Sequence, residues 1–158
     1  MYCEADIKAA IEKYTGFTHS TIDVFEKAAK LVSENKILGL WQGRSEMGPR
    51  ALGNRSIIMS PLKAENKDVL NSRVKFREGF RPFAPAILDE YVDDYFIIDR
   101  ESPYMLFVPE VKENKLGVIP AVTHVDGTGR LQTVKKSFNP LFYNLINSFY
   151  QETGVPVL

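Results

Sequence analysis

GRSEMGPRALGNRSIIMSPLKAENKDVLNSRVKFREGFRPFAP, residues 43–85, is the part of the chain from which the rest can be read. It carries Arg44, Arg50, Arg55, Arg73, Arg77 and Arg81, six of the chain's eight arginines, with Lys63, Lys67 and Lys75 among them. Its only acids are Glu46, Glu65, Asp68 and Glu78, so a strongly basic segment sits inside a chain of zero formal net charge. Gly43, Gly48, Gly53 and Gly79 permit close backbone approach or positive φ, and Pro49, Pro82 and Pro85 stiffen the same turns. Guanidinium groups match phosphate and carboxylate oxygens in pairs. Fixed turns with clustered guanidiniums suit a polyanionic small molecule. A solvated basic surface is the alternative, but the charges here are interleaved with Gly, Pro and apolar residues and follow no single helix face.

Upstream, residues 36–42 include the apolar run ILGLW and read as a strand feeding the basic loop directly. Ligand sites of α/β sheets commonly lie at such strand ends. No GKS or GKT follows, so the loop is not a Walker motif. Earlier still, Asp23 and Glu26 fit a capping box for a helix to about Asn35, with Val24, Ala28, Leu31 and Val32 as its buried face. Residues 4–14 read as a first helix with Ile7, Ala10 and Ile11 on one stripe. Within the basic stretch, 55–60 reads as a second strand and 64–74 as a polar-faced helix. Downstream, 86–88 reads as a strand, 89–96 as a short acidic helix and 104–108 (YMLFV) as a buried strand. Residues 118–125 and 130–134 flank the turn Asp126-Gly127-Thr128-Gly129 as hairpin arms. In those arms His124 and Asp126, then Arg130 and Gln132, can share a face. Asn139 before Pro140 starts a helix to about Thr153, with Leu141, Leu145 and Phe149 along one stripe. Gly154 ends it, and 155–158 reads as one more strand. The class is α/β or α+β with a mixed sheet.

The whole chain sets bounds on these readings. Its 158 residues suffice for one domain with a real core. The single cysteine, Cys3, excludes a disulfide framework and a cysteine metal site. His19 and His124 lack metal-ligand spacing. No apolar run reaches membrane-spanning length, and the expected location is the cytoplasm. Ser45 and Ser56 have no His/Asp pattern beside them, which rules against a serine nucleophile. The final GVPVL is an apolar run with no polar tail and reads as a cut in a longer chain.

GRSEMGPRALGNRS, NSRVKFREGFRPFAP, SPYM, THVDGTGRLQTV and NPLFYNLINSFYQETGVPVL occur in that order. Together they resemble the C-terminal domain of the O-carbamoyltransferases, the family of nodulation-factor and antibiotic-tailoring carbamoyltransferases, over nearly the whole chain. The resemblance implies a YrdC-like fold, a twisted, mixed, open sheet with flanking helices, similar to threonylcarbamoyl-adenylate synthases and to part of the hydrogenase-maturation carbamoyltransferases. It implies that this domain takes carbamoyl phosphate and ATP, releases phosphate and pyrophosphate, and makes carbamoyl-adenylate. An N-terminal actin-like domain, absent from this chain, would carry the acceptor pocket and the histidines for iron or another metal. It would pass the carbamoyl group to an acceptor hydroxyl.

Residue by residue, Lys75-Phe76-Arg77 matches the K-x-R half of the YrdC-like signature. Arg50, Arg55 and Ser56 belong to the GPRALGNRS motif, Arg81 to FRPFAP, and His124, Asp126, Thr128 and Arg130 to HVDGTGR. The S-x-N half follows G-V-P-V-L in the family, so the resemblance places it after Leu158. Arg50, Arg55, Lys75, Arg77 and Arg81 are the candidates to hold carbamoyl phosphate and the ATP phosphates, with Ser56, Thr128 and Arg130 beside them. A Lys-x-Arg pair on a strand would point two cations to one face. Mg²⁺ would arrive with ATP and use few protein ligands; Asp126 is a candidate ligand, set against a turn-forming role. His124 is a candidate base, set against a hydrogen-bonded structural histidine. Trp41 and Phe76 can stack on adenine, though Trp41 reads better as core, as do Met47, Met59 and Met105. Glu46 and Glu78 read as partners that neutralise arginines. An RNA-binding module, a threonylcarbamoyl-adenylate-synthase-like module and a non-catalytic fragment are the rival readings. Zero net charge and few interleaved aromatics argue against nucleic acid.

Overall fold

The structure is a computed structural model that describes residues 3–16, 18–19 and 23–158. Helix α1 (Glu4–Glu12) is capped locally, with Cys3 N–H donating to Asp6 Oδ2 at 2.8 Å. Its expected stripe buries nothing among the described residues. Helix α2 (Val24–Ser33) starts where Asp23 Oδ1 accepts from the N–H groups of Phe25 and Glu26. Ala29 and Val32 are its buried residues, and Phe25 and Ala28 pack beside them. Val24, expected in the buried face, is exposed because that face is rotated toward Phe25.

Strands β1 (Leu38–Trp41) and β2 (Arg55–Ile58) pair antiparallel, Leu38 opposite Ile58 and Trp41 opposite Arg55. The loop between them is the glycine-rich half of the basic stretch. After β2 the expected helix is split. Helix α3 (Glu65–Leu70) passes into a π-helical turn, Asn71–Lys75, that ends at Phe76 in a left-handed conformation. Strands β3 (Ala86–Leu88) and β6 (Gln132–Val134) pair in parallel, and residues 156–158 join the free edge of β3 antiparallel through Ala86 and Leu158. Between them lie a 3₁₀ turn (Asp89–Tyr91), helix α4 (Val92–Tyr95) and the short antiparallel pair β4 (Phe96–Ile97) and β5 (Glu110–Val111). Helix α5 (Pro140–Thr153) begins at Asn139, whose Oδ1 accepts from Phe142 N, and ends at Gly154 with φ +73°. Its buried stripe is Phe142, Leu145, Ile146 and Phe149; Leu141 lies on the exposed side. The class is α+β with mixed pairing, and the pairing is divided among short two-stranded ladders.

Alternation along β3 joins two cores. Ala86 and Leu88 face α2 and α5, while Ile87 faces α4, β4 and Leu131. A strand buried on both faces reads as a continuous apolar run, which is why 86–88 is legible.

Two expected strands are absent. Residues 104–108 are neither strand nor buried: Leu106 is 73% exposed, and Met105 breaks the alternation with φ +56°. The segment is held through its backbone by Leu131 N donating to Phe107 O and, one residue past its end, Gly129 N to Pro109 O; within it Met105 turns to a cavity wall. Residues 118–123 fold as turns, because Pro120 has no N–H for a ladder. The turn after them is present, closed by His124 N to Thr128 O at 2.7 Å and Gly127 N to His124 O at 3.0 Å.

Candidate functional site

A cavity of about 450 Å³ opens between the glycine-rich loop, β2, the π-helical turn, the 77–84 loop and β6. Its lining includes six cations, Arg50, Lys67, Lys75, Arg77, Arg81 and Arg130, and no Asp or Glu. Phe142 and Leu158 supply part of its apolar wall. The size is that of a small-ligand pocket.

Each wall has a local cause. Glu46 reaches back inside the first loop: its Oε1 accepts from Leu52 N (2.8 Å) and Asn54 N (3.1 Å), its Oε2 from Arg55 N (3.1 Å). It folds the loop, where the sequence reads it as a partner that neutralises arginines. Glu78 does pair with Arg81, at 2.9 Å, and a backbone hydrogen bond, helped by the Arg81 charge, holds its carboxyl below the usual carboxylate range. Gly53, with φ +106°, brings the loop against α5: a Cβ there would lie 2.3 Å from Phe142 Cδ1. Asn139 Nδ2 reaches Asn54 Oδ1 at 3.2 Å, tying the same helix start to the same loop. Ser56, in β2, accepts from Gly53 N through Oγ at 3.0 Å. Gln132 is 5% exposed and donates through Nε2 to Leu52 O at 3.0 Å, linking β6 to the loop across 80 residues.

Lys75 and Arg77 both line the cavity, but not from a strand. Lys75 closes the π turn and Phe76 has φ +46°, so strand alternation is replaced by a sharp reversal between them. The Arg77 guanidinium lies 4.8 Å from the Phe83 ring centroid. Arg130 enters from the strand side, and its Nε is buried with no partner. Burial pushes its affinity for a proton down, and the positive charges of Arg50 and Arg77 push the same way. Guanidiniums crowded together without a carboxylate make a site that an anion would complete.

Four candidates read from sequence, Arg55, His124, Asp126 and Thr128, lie outside the cavity lining. Arg55 is committed to structure: its Nη1 donates to Gln42 O (2.6 Å) and Asn54 O (2.9 Å), and its guanidinium covers Trp41 at 3.8 Å. Trp41 is therefore a surface platform, 80% exposed, rather than core, and Met47 is also exposed. Met59 is buried, and Met105 lines the cavity. His124, Asp126 and Thr128 form a closed turn. Asp126 Oδ1 accepts from Thr128 N (3.0 Å) and Thr128 Oγ1 (2.7 Å), and those bonds hold its carboxyl below the usual range. Thr128 has given its only hydroxyl proton to Asp126, so His124 Nδ1, 3.0 Å from Oγ1, must be the donor there. The neutral His124 Nε2 is left buried and unpartnered. Burial, reinforced by Arg130 and opposed by Asp126, lowers the imidazole's proton affinity. These three residues shape the turn that leads to Arg130 and do not line the cavity.

Among the described residues no three His, Cys, Asp or Glu side chains form a metal cage. With no carboxylate in the lining, a Mg²⁺ ion would have to be held by ligand phosphates. Lys67 lines the cavity and Asn71 holds the lining Arg77 through its Nε; neither is among the candidates read from sequence. A polar residue interrupting the apolar side of a helical stretch (Leu70, Asn71, Val74) was the available signal.

A family model described as the carbamoyltransferase C-terminus matches residues 29–158. The chain is 50% identical over 139 residues to the nodulation protein NolNO of Sinorhizobium fredii, covering 86% of this chain and 20% of that protein. It is 48% identical over 139 residues to nodulation protein NolO of Bradyrhizobium diazoefficiens, covering 86% of this chain and 25% of the relative. It is 42% identical over 130 residues to nodulation protein U of Rhizobium tropici, covering 82% and 22%. The chain thus spans about a quarter or less of the length of these curated relatives.

Proposed function

The chain belongs to the family of carbamoyltransferase C-terminal domains, and on that premise we propose that its cation-lined cavity binds carbamoyl phosphate and ATP and forms carbamoyl-adenylate. The observation that carries this reading is the convergence of Arg50, Arg77 and Arg130 with Lys75 in one cavity that has no acidic lining residue. Water converts carbamoyl phosphate to carbamate and phosphate. A carbamate oxygen then forms a bond to the α-phosphorus of ATP, and the bond to pyrophosphate breaks. Charge grows on phosphate oxygens in both steps, so the protein's contribution is positioning and fixed positive charge. Arg50, Arg77 and Arg130 supply guanidinium forks and Lys75 a point charge, with Arg81 and Ser56 at the same walls. Mg²⁺ bound to ATP would neutralise phosphate charge without a protein carboxylate.

In the parent polypeptide a preceding actin-like domain would take the carbamoyl group to an acceptor hydroxyl. A reaction that consumes ATP and carbamoyl phosphate would run in the cytoplasm. Among the described residues no helix is long and apolar enough to cross a membrane.

The direct test is calorimetric titration of carbamoyl phosphate and of ATP–Mg²⁺ into this chain and into Lys75→Ala/Arg77→Ala. Saturable binding by the wild type, at least tenfold weaker in the double variant, is expected. The parent polypeptide should also exchange labelled pyrophosphate into ATP only when carbamoyl phosphate is present. Exchange that ignores carbamoyl phosphate would sink the adenylation reading.

A further inference from the structure

Residues 76–85 carry two of the cavity's cations, Arg77 and Arg81, yet form no regular structure. One side chain fixes them. Asn71, 1% exposed, sits in the π-helical turn. Its backbone oxygen accepts from Arg77 N at 3.1 Å, and its Oδ1 accepts from Arg77 Nε at 2.7 Å. Its Nδ2 donates to Arg81 O at 3.0 Å and to Gly79 O at 3.4 Å. The amide cannot be reversed, because Oδ1 meets a guanidinium that only donates and Nδ2 meets carbonyls that only accept.

Phe76 lies between these anchors. A left-handed φ of +46° is costly for a bulky residue and persists only where its surroundings over-determine it. The paired bonds from Asn71 to Arg77 provide that constraint. With Nε taken by Asn71, Nη2 3.4 Å from Pro82 O and the ring of Phe83 against its face, the guanidinium reaches the cavity already oriented. π-helical turns inside helices recur at functional sites.

We propose that Asn71 is the positioning residue of this anion site, acting through Arg77, whose guanidinium it preorganises for a phosphate-bearing ligand. The inference rests on the reading of the cavity as an anion site. Preorganised groups bind more tightly because less ordering remains to be done on binding.

The test is a double-mutant cycle read by calorimetry with pyrophosphate as the probe, on wild type, Asn71→Ser, Arg77→Ala and the double variant. Asn71→Ser should weaken binding at least fivefold in the wild-type background. It should weaken binding less than threefold when Arg77 is already Ala, since the group it acts through is gone. An effect under fivefold in the first background overturns the proposal even if the melting temperature drops, because the role is then structural only. An effect of threefold or more in the second overturns it too. Should Asn71→Ser fail to fold, Arg77→Lys decides. It keeps the charge but has no Nε to meet Asn71 Oδ1, and a loss under fivefold there overturns the proposal. A wild type that binds neither pyrophosphate nor carbamoyl phosphate refutes the anion site itself, and the positioning role with it.

Discussion

Protonating His124 would put a second N–H on the ring at Nε2, a buried atom with no partner. The folded state therefore prefers the neutral ring, and the proton affinity is lowered. The unfolded chain binds that proton at a higher pH. Stability from this group is full above the ordinary histidine value near 6.5 and is lost as pH falls through the lower folded value. Urea midpoints should drop between pH 7.5 and 5.5 in the wild type and drop less in His124→Asn; equal drops would place the titrating group elsewhere. Arg130 poses the opposite problem, a permanent charge half-buried beside two others, with its Nε fully buried. Arg130→Met should raise thermal stability without ligand and abolish pyrophosphate binding. A less stable variant would mean that Arg130 has a structural partner that the like charges do not outweigh.

At the scale of elements, the first loop depends on α5. Gly53 touches Phe142 so closely that Gly53→Ala must overpack the contact at a left-handed position. The expected loss is about 3 kcal/mol in denaturant unfolding, with weakened ligand binding because Arg50 and Ser56 flank the same loop. Asn139→Ala removes the α5 cap and the bond to Asn54, and should cost about 1 kcal/mol. An unchanged unfolding midpoint in Asn139→Ala would show that α5 starts without its cap. The π turn works on the other wall, where it swaps regular helix for a geometry that points Lys75 and Arg77 at one cavity.

For the whole molecule, six cations around one cavity, of which Arg81 already has Glu78 as its partner, are a standing repulsion that an anion relieves. Ligand bound only by the folded state stabilises it by mass action, about 2.7 kcal/mol at a concentration a hundred times the Kd. Pyrophosphate should raise the melting temperature beyond the effect of sodium chloride at equal ionic strength. A matching rise with sodium chloride alone would mean diffuse screening and not a site.

The sequence by itself determined the local events. Asp23 and Asn139 cap helices because a short side-chain oxygen reaches N–H groups two or three residues on. Gly154 ends α5 because it accepts positive φ, and 86–88 reads as strand because it is apolar on both faces. The basic stretch reads as a candidate anion site because arginines among glycines are a local pattern, it supplies five of the six cations that line the cavity, and five ordered motifs carried the family. Tertiary structure alone decided which apolar residues are inside. YMLFV and Trp41 look like core, yet burial depends on what packs over them, and 104–109 is held by backbone bonds to residues 129 and 131. It alone withdrew Arg55 to Trp41, closed His124 into a turn with Asp126 and Thr128, and brought Arg130 to Arg50 and Arg77. These placements join residues 14 to 80 positions apart or rest on bonds already spent, and spacing along a chain records neither.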